Sequence, residues 1–80
     1  MLSVEQCRAG RALLDWSAER LAEVASIGVA TVRRFESGQT VNAGSIEKMA
    51  DALSQAGVVL LDDGDASAGG GQGVRLADPG

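Results

Sequence analysis

Residues 17–38 read Ser17-Ala18-Glu19-Arg20-Leu21-Ala22-Glu23-Val24-Ala25-Ser26-Ile27-Gly28-Val29-Ala30-Thr31-Val32-Arg33-Arg34-Phe35-Glu36-Ser37-Gly38. Ser17 is an N-cap residue type, and Glu19 in the next turn complements the positive end of a helix dipole. Leu21, Ala22 and Ala25 form the buried face of a short helix. Ser26, Ile27 and Gly28 interrupt it. A second short helix is predicted from Val29 to about Ser37, with Val32 and Phe35 inward and Gly38 as its stop.

The flanks extend this pattern. Ser3 has Gln6 three residues later, a capping-box spacing. Cys7, Arg11 and Leu14 then share one face of a helix over about 4–15. Asn42 can cap a fourth helix whose Ile46, Met49, Ala50 and Leu53 keep the helical period to about Gln55. After Gly57 the period changes: Val58, Val59, Leu60 and Leu61 read as a strand. Residues 62–72 are a Gly, Asp, Ala and Ser-rich flexible linker, and Gly73 to Leu76 can close a long-looped hairpin. A lone two-stranded hairpin is marginal, so it must pack on the helices or pair with another chain. The expected fold is mostly α: a compact four-helix domain over 1–57, with a C-terminal two-stranded β-hairpin and acidic tail over 58–80. No internal repeat is visible.

Composition narrows the function classes. Eighty residues, 45% hydrophobic and 22% charged, suit one small soluble domain. Trp16 and Phe35 are the only aromatics, so the core is aliphatic. There is no histidine and one cysteine, Cys7. A zinc site, a Ser-His or Cys-His active centre and a disulfide framework are therefore not expected. No metal, cofactor or enzymatic activity is expected. Ser17 lacks a base to activate it, and Cys7 on an inward stripe reads as a small core residue. Gly69 to Gly73 lacks the Lys and Ser/Thr of a phosphate loop. Asp62, Asp63 and Asp65 lack the later glutamate of a calcium loop.

The net charge of −4 opposes a nucleic-acid partner when taken as a single number. Its distribution alters that. Residues 1–61 hold six basic and seven acidic residues, whereas 62–80 hold four aspartates against Arg75. No secretory signal and no apolar span of about 20 residues is visible. The lone cysteine fits a reducing compartment, so a cytoplasmic protein with no membrane association is expected.

Two short helices joined by a tight turn describe a helix-turn-helix. The second helix must protrude for its leading turn to enter a major groove about 12 Å wide, while the first presents its N-terminus to a phosphate. At this point the chain resembles the lambda Cro/repressor-like (XRE-type) DNA-binding family. The resemblance covers about residues 5–56. It is carried by Gln6 to Leu14, by Ser17 to Ala22 and above all by Ser26 to Gly38. The sequence departs from the family at Ala18, where Gln is usual, at Ser26, where the turn commonly has Gly, and at Gly28, where Ser or Thr caps the helix.

Arg11 lies on an apolar stripe, where a charge is costly unless paired, and Glu36 follows the inward Phe35. A buried Arg11–Glu36 pair would satisfy both, and the resemblance implies such a bridge; the alternative is an Arg11 that snorkels to solvent. If Val32 and Phe35 face inward, Gly28, Val29, Ala30, Arg33 and Arg34 are available for base contacts. Arg34 suits bidentate contact with guanine, Val29 and Ala30 suit thymine methyls, and Arg33 reaches either a base or a phosphate. Ser17, Ala18, Arg20, Thr31, Ser37, Gln39, Thr40 and Asn42 are the expected backbone contacts.

One module reads few base pairs, so a homodimer on paired half-sites is expected. Its interface is placed on Val58, Val59, Leu60, Leu61, Val74 and Leu76, with the strands paired within or between subunits. The favoured function is a sequence-specific, small bacterial transcriptional regulator bound to double-stranded DNA. The alternative is a protein-interaction module, antitoxin-like or anti-activator, using the same fold on a protein partner.

Overall fold

In the computed structural model, which describes residues 1–61 and 73–76, four helices precede an antiparallel hairpin. They are α1 Val4–Leu14, α2 Ala18–Ala25, α3 Val29–Glu36 and α4 Ala43–Gln55, followed by β1 Val58–Leu61 and β2 Gly73–Leu76. The linker expected over 62–72 and the aspartates Asp62, Asp63, Asp65 and Asp78 lie outside the described residues.

Local chemistry accounts for where the helices start. Ser3 and Gln6 form a complete capping box: Ser3 Oγ accepts from the Gln6 amide at 3.0 Å, and Gln6 Oε1 accepts from the Ser3 amide at 2.9 Å. Ser17 Oγ accepts from the Arg20 amide, and Asn42 Oδ1 from the Gly44 amide. Only α3 starts without a side-chain cap, because its N-cap is Gly28. The turn before it depends on Ser26, which holds a left-handed conformation at φ 60°. That conformation costs an L-residue about 1–2 kcal/mol. It is retained because it lets the Ile27 amide donate to Ala22 O at 3.0 Å, closing α2 and sending the chain into α3.

The inward faces meet in one core. Cys7, Leu21, Val32, Met49 and Leu53 are fully enclosed, joined by Leu2, Ala22, Ala25, Phe35, Ala52 and Val58. Gly10 lets α1 approach α4. A Cβ built there would lie 3.3 Å from both Leu53 Cδ atoms and 3.6 Å from Val58 Cγ1.

The hairpin packs on α1 and α4, with register Val58↔Leu76, Val59↔Arg75, Leu60↔Val74 and Leu61↔Gly73. Directly opposed residues share a face. Val58, Leu60 and Val74 therefore turn onto the helical core, with Leu76 at the rim. Val59 and Leu61 lie on the other face. Burial within the chain corrects the expectation for Val58, which at 2% exposure has no surface to offer a second subunit. Gln6 fastens the hairpin to the helices: its Nε2 donates to Leu61 O at 2.8 Å.

Candidate nucleic-acid interface

The leading end of α3 is open. Gly28 and Ala30 are exposed, and an added Cβ at Gly28 would meet nothing within 4 Å. Thr31 N returns to Gly28 O, which leaves the first amides of α3 without acceptors inside the helix. The same holds for Ala18 and Glu19 at the start of α2. Two helix N-termini thus present donors that have no acceptor among the described residues, as phosphate binding requires.

What ties the end of α3 down is a partly buried ion pair. Arg11 Nη2 donates to Glu36 Oε1 at 2.7 Å and Arg11 Nε to Glu36 Oε2 at 2.8 Å, a two-pronged fork from α1 to the last residue of α3. Arg11 Nη1 also donates to Trp16 O at 2.9 Å, which ties down the α1–α2 corner. Cys7 Sγ donates to Glu36 Oε2 at 3.1 Å, so one carboxylate accepts from both residues. The pairing wins over snorkelling because both charges are largely withdrawn from water, with side chains 22% and 12% exposed.

The titration of the cluster follows from its contacts. Burial alone would raise the Glu36 carboxyl. The hydrogen bonds from Arg11 and Cys7 and the positive charges of Arg11 and Arg8 outweigh it and hold Glu36 below its ordinary value. The Glu36 hydrogen bond raises Arg11 further against its own desolvation. Burial first, then the hydrogen bond to Glu36 and its charge, push the Cys7 thiol far up. Cys7 is therefore a protonated donor in the core, with no thiolate available for chemistry.

The remaining predicted contact residues divide by what they already touch. Arg34 is exposed and has no ion-pair partner among the described residues. Arg33, beside it, is paired with Glu19 at the start of α2. Arg20 is paired with Glu23 one turn on and lies 6.0 Å from the Trp16 ring centroid. Val29 is half-buried against the core instead of standing free, because it precedes the inward Val32 by one helical turn. Ala18 is half-buried in the same way, and Thr31 is partly covered. The Ser37 hydroxyl donates to the Arg33 and Arg34 carbonyls, and Gln39 Nε2 donates to Ser37 Oγ, so both are engaged within the chain. Thr40 and Asn42 are exposed, and Asn42 Oδ1 is engaged in the cap it makes. Glu19 and Cys7 are the two residues of this region that sequence reasoning passed over. Glu19 was read only as a dipole partner and Cys7 only as packing.

A helix-turn-helix family model matches residues 8–54, more than half of the chain and all of α2, α3 and the turn between them. The chain belongs to the XRE-type helix-turn-helix family. As a helix-turn-helix protein it is, in general terms, a DNA-binding regulator, and the family is not an enzymatic one. No curated protein matches it. In this helix-turn-helix chain, no group of His, Cys, Asp or Glu among the described residues is placed to hold a metal. No helix among them is long and apolar enough to cross a membrane.

Proposed function

We propose that this helix-turn-helix protein is a sequence-specific transcriptional regulator that inserts the leading turns of α3 into the major groove as a homodimer. The observation that carries the reading is the exposed Arg34, without an ion-pair partner among the described residues, on a helix whose opposite face is locked by Val32, Phe35 and the Glu36–Arg11 fork. Arg34 supplies the bidentate guanine contact, Ala30 and the exposed edge of Val29 meet thymine methyls, and Gly28 allows close approach of the backbone. The open amides of α2, with Ser17, Thr40 and Asn42, address phosphates and set the register.

The two copies are joined through the hairpin, on Val59 and Leu61 of its outer face and Leu76 at the rim, with the partly exposed edges of Leu60 and Val74 beside them. Residues 1–57 then form the reading head and the segment after Gly57 the dimer element. The proposed setting is the bacterial cytoplasm.

Selection from a randomised duplex pool tests the reading. A preferred sequence should emerge. Arg34→Ala should lose about 1–3 kcal/mol of discrimination at one base pair, while melting like the unaltered protein. Recovery of no preferred sequence would contradict the reading. A second reading, a module that captures a protein partner, is favoured by the pairing of Arg20 with Glu23 and of Arg33 with Glu19 and by the net charge of −4. It predicts no duplex preference and tight binding of an isolated protein partner.

A further inference from the structure

Glu19 sits in the first turn of α2, at the edge of the proposed interface, and its carboxylate accepts from Arg33 Nη2 on α3. Both side chains are about three-fifths exposed, at 60% for Arg33 and 61% for Glu19. A pair so exposed adds little to folding, because water screens it and two long side chains must be held in one geometry. Its position gives it another consequence. Arg33 is one of only two cations on α3, and the carboxylate that occupies it lies beside the open α2 amides that would meet a phosphate.

We infer that Glu19 is a specificity-determining residue that suppresses sequence-independent binding by competing with DNA phosphates for Arg33. The inference rests on the DNA-binding reading above. Sequence-independent affinity comes from cations that neutralise phosphates and release counterions, with a slope of about 0.9 in log affinity against log salt per phosphate. An arginine already neutralised by its own chain must exchange one anion for another, so it contributes little to that term. Arg34, without such a partner among the described residues, keeps its contribution to base reading. The ratio of specific to random binding rises although Glu19 touches no base. Arg33 is thereby a conditional contact: it joins the interface only where the docked geometry brings a phosphate closer than Glu19.

The test uses the full chain and a random-sequence duplex, with the duplex recovered by pool selection as the specific probe. Glu19→Gln keeps the shape and removes the charge. It should tighten random-duplex binding about two- to fivefold at 0.1 M salt and steepen the salt slope by up to about one. The ratio of selected to random affinity should fall. In an Arg33→Gln background the same Glu19→Gln change should have no such effect. Unchanged or weaker random binding by Glu19→Gln would overturn the inference. Equal tightening with and without Arg33 would also overturn it, since Glu19 would then act by plain repulsion. A wild-type protein that recovers no preferred duplex and a Glu19→Gln protein that binds none would instead remove the DNA-binding reading, and the inference with it. Thermal melting of each variant keeps a folding defect from being read as a binding one.

Discussion

Glu36 ties the end of α3 to the rest of the fold, because its two oxygens accept from Arg11 on α1 and from Cys7 in the core. Removing it strands a partly buried guanidinium without its carboxylate. Glu36→Ala should therefore cost about 3 kcal/mol in chemical denaturation, the low end for a broken buried pair because Arg11 retains some contact with water. The pH dependence has a definite sign. The folded carboxyl titrates below its ordinary value of 4.5, so its stabilisation is fully present above that value and is lost as pH falls through the lower, folded value. Glu36→Gln should flatten the acid limb of a stability profile; an unchanged limb would place the proton uptake elsewhere. The Arg11–Glu36 bridge was readable because a charge on an apolar stripe demands a partner. The Cys7 bond to the same carboxylate was not readable, since it depends on how closely the end of α3 approaches α1. Nor was the Glu19–Arg33 pair, in which residues fourteen apart meet only once the turn at Ser26 has set the angle of α3.

Secondary structure was legible because its determinants are local. Ser3, Ser17 and Asn42 cap the helices they were expected to cap, and Gly38 and Gly57 adopt left-handed conformations at φ 90° and 103° where α3 and α4 end. What escaped was packing between segments distant in sequence. Gly10 looks like an unfavourable residue in the middle of α1, since glycine costs about 1 kcal/mol there relative to alanine. Its reason lies in Leu53 and Val58, more than forty residues away. Gly10→Val should destabilise the fold by about 1–3 kcal/mol through overpacking, seen as a lower denaturation midpoint. A midpoint equal to or above the unaltered protein would mean that α1 and α4 separate freely. Gln6 is similar: its capping role is local and was read, but its bond to Leu61 O, which joins the first helix to the hairpin, required the fold.

The assembled chain presents two distinct surfaces, an α2–α3 head with open amides and Arg34, and a hairpin with half-buried aliphatic side chains. On the proposed reading a head of this size reads too few base pairs to act alone, and the hairpin is the proposed dimer element. Sedimentation at high micromolar concentration should show a dimer, and Leu76→Asp, which places a charge on a residue 46% exposed, should return it to monomer without unfolding it. A monomer at every concentration would remove the hairpin from that role. The orientation of α3 in the groove is the claim from which base reading, phosphate competition and half-site spacing all descend. Titration of isotopically labelled protein with the selected duplex, followed by amide resonances, tests it most directly. Binding should move the amides of Ala18, Glu19 and Gly28 to Arg34 most, and leave β1, β2 and the solvent side of α4 nearly still. Changes centred on the hairpin or α4, with Gly28 to Arg34 unmoved, would contradict it.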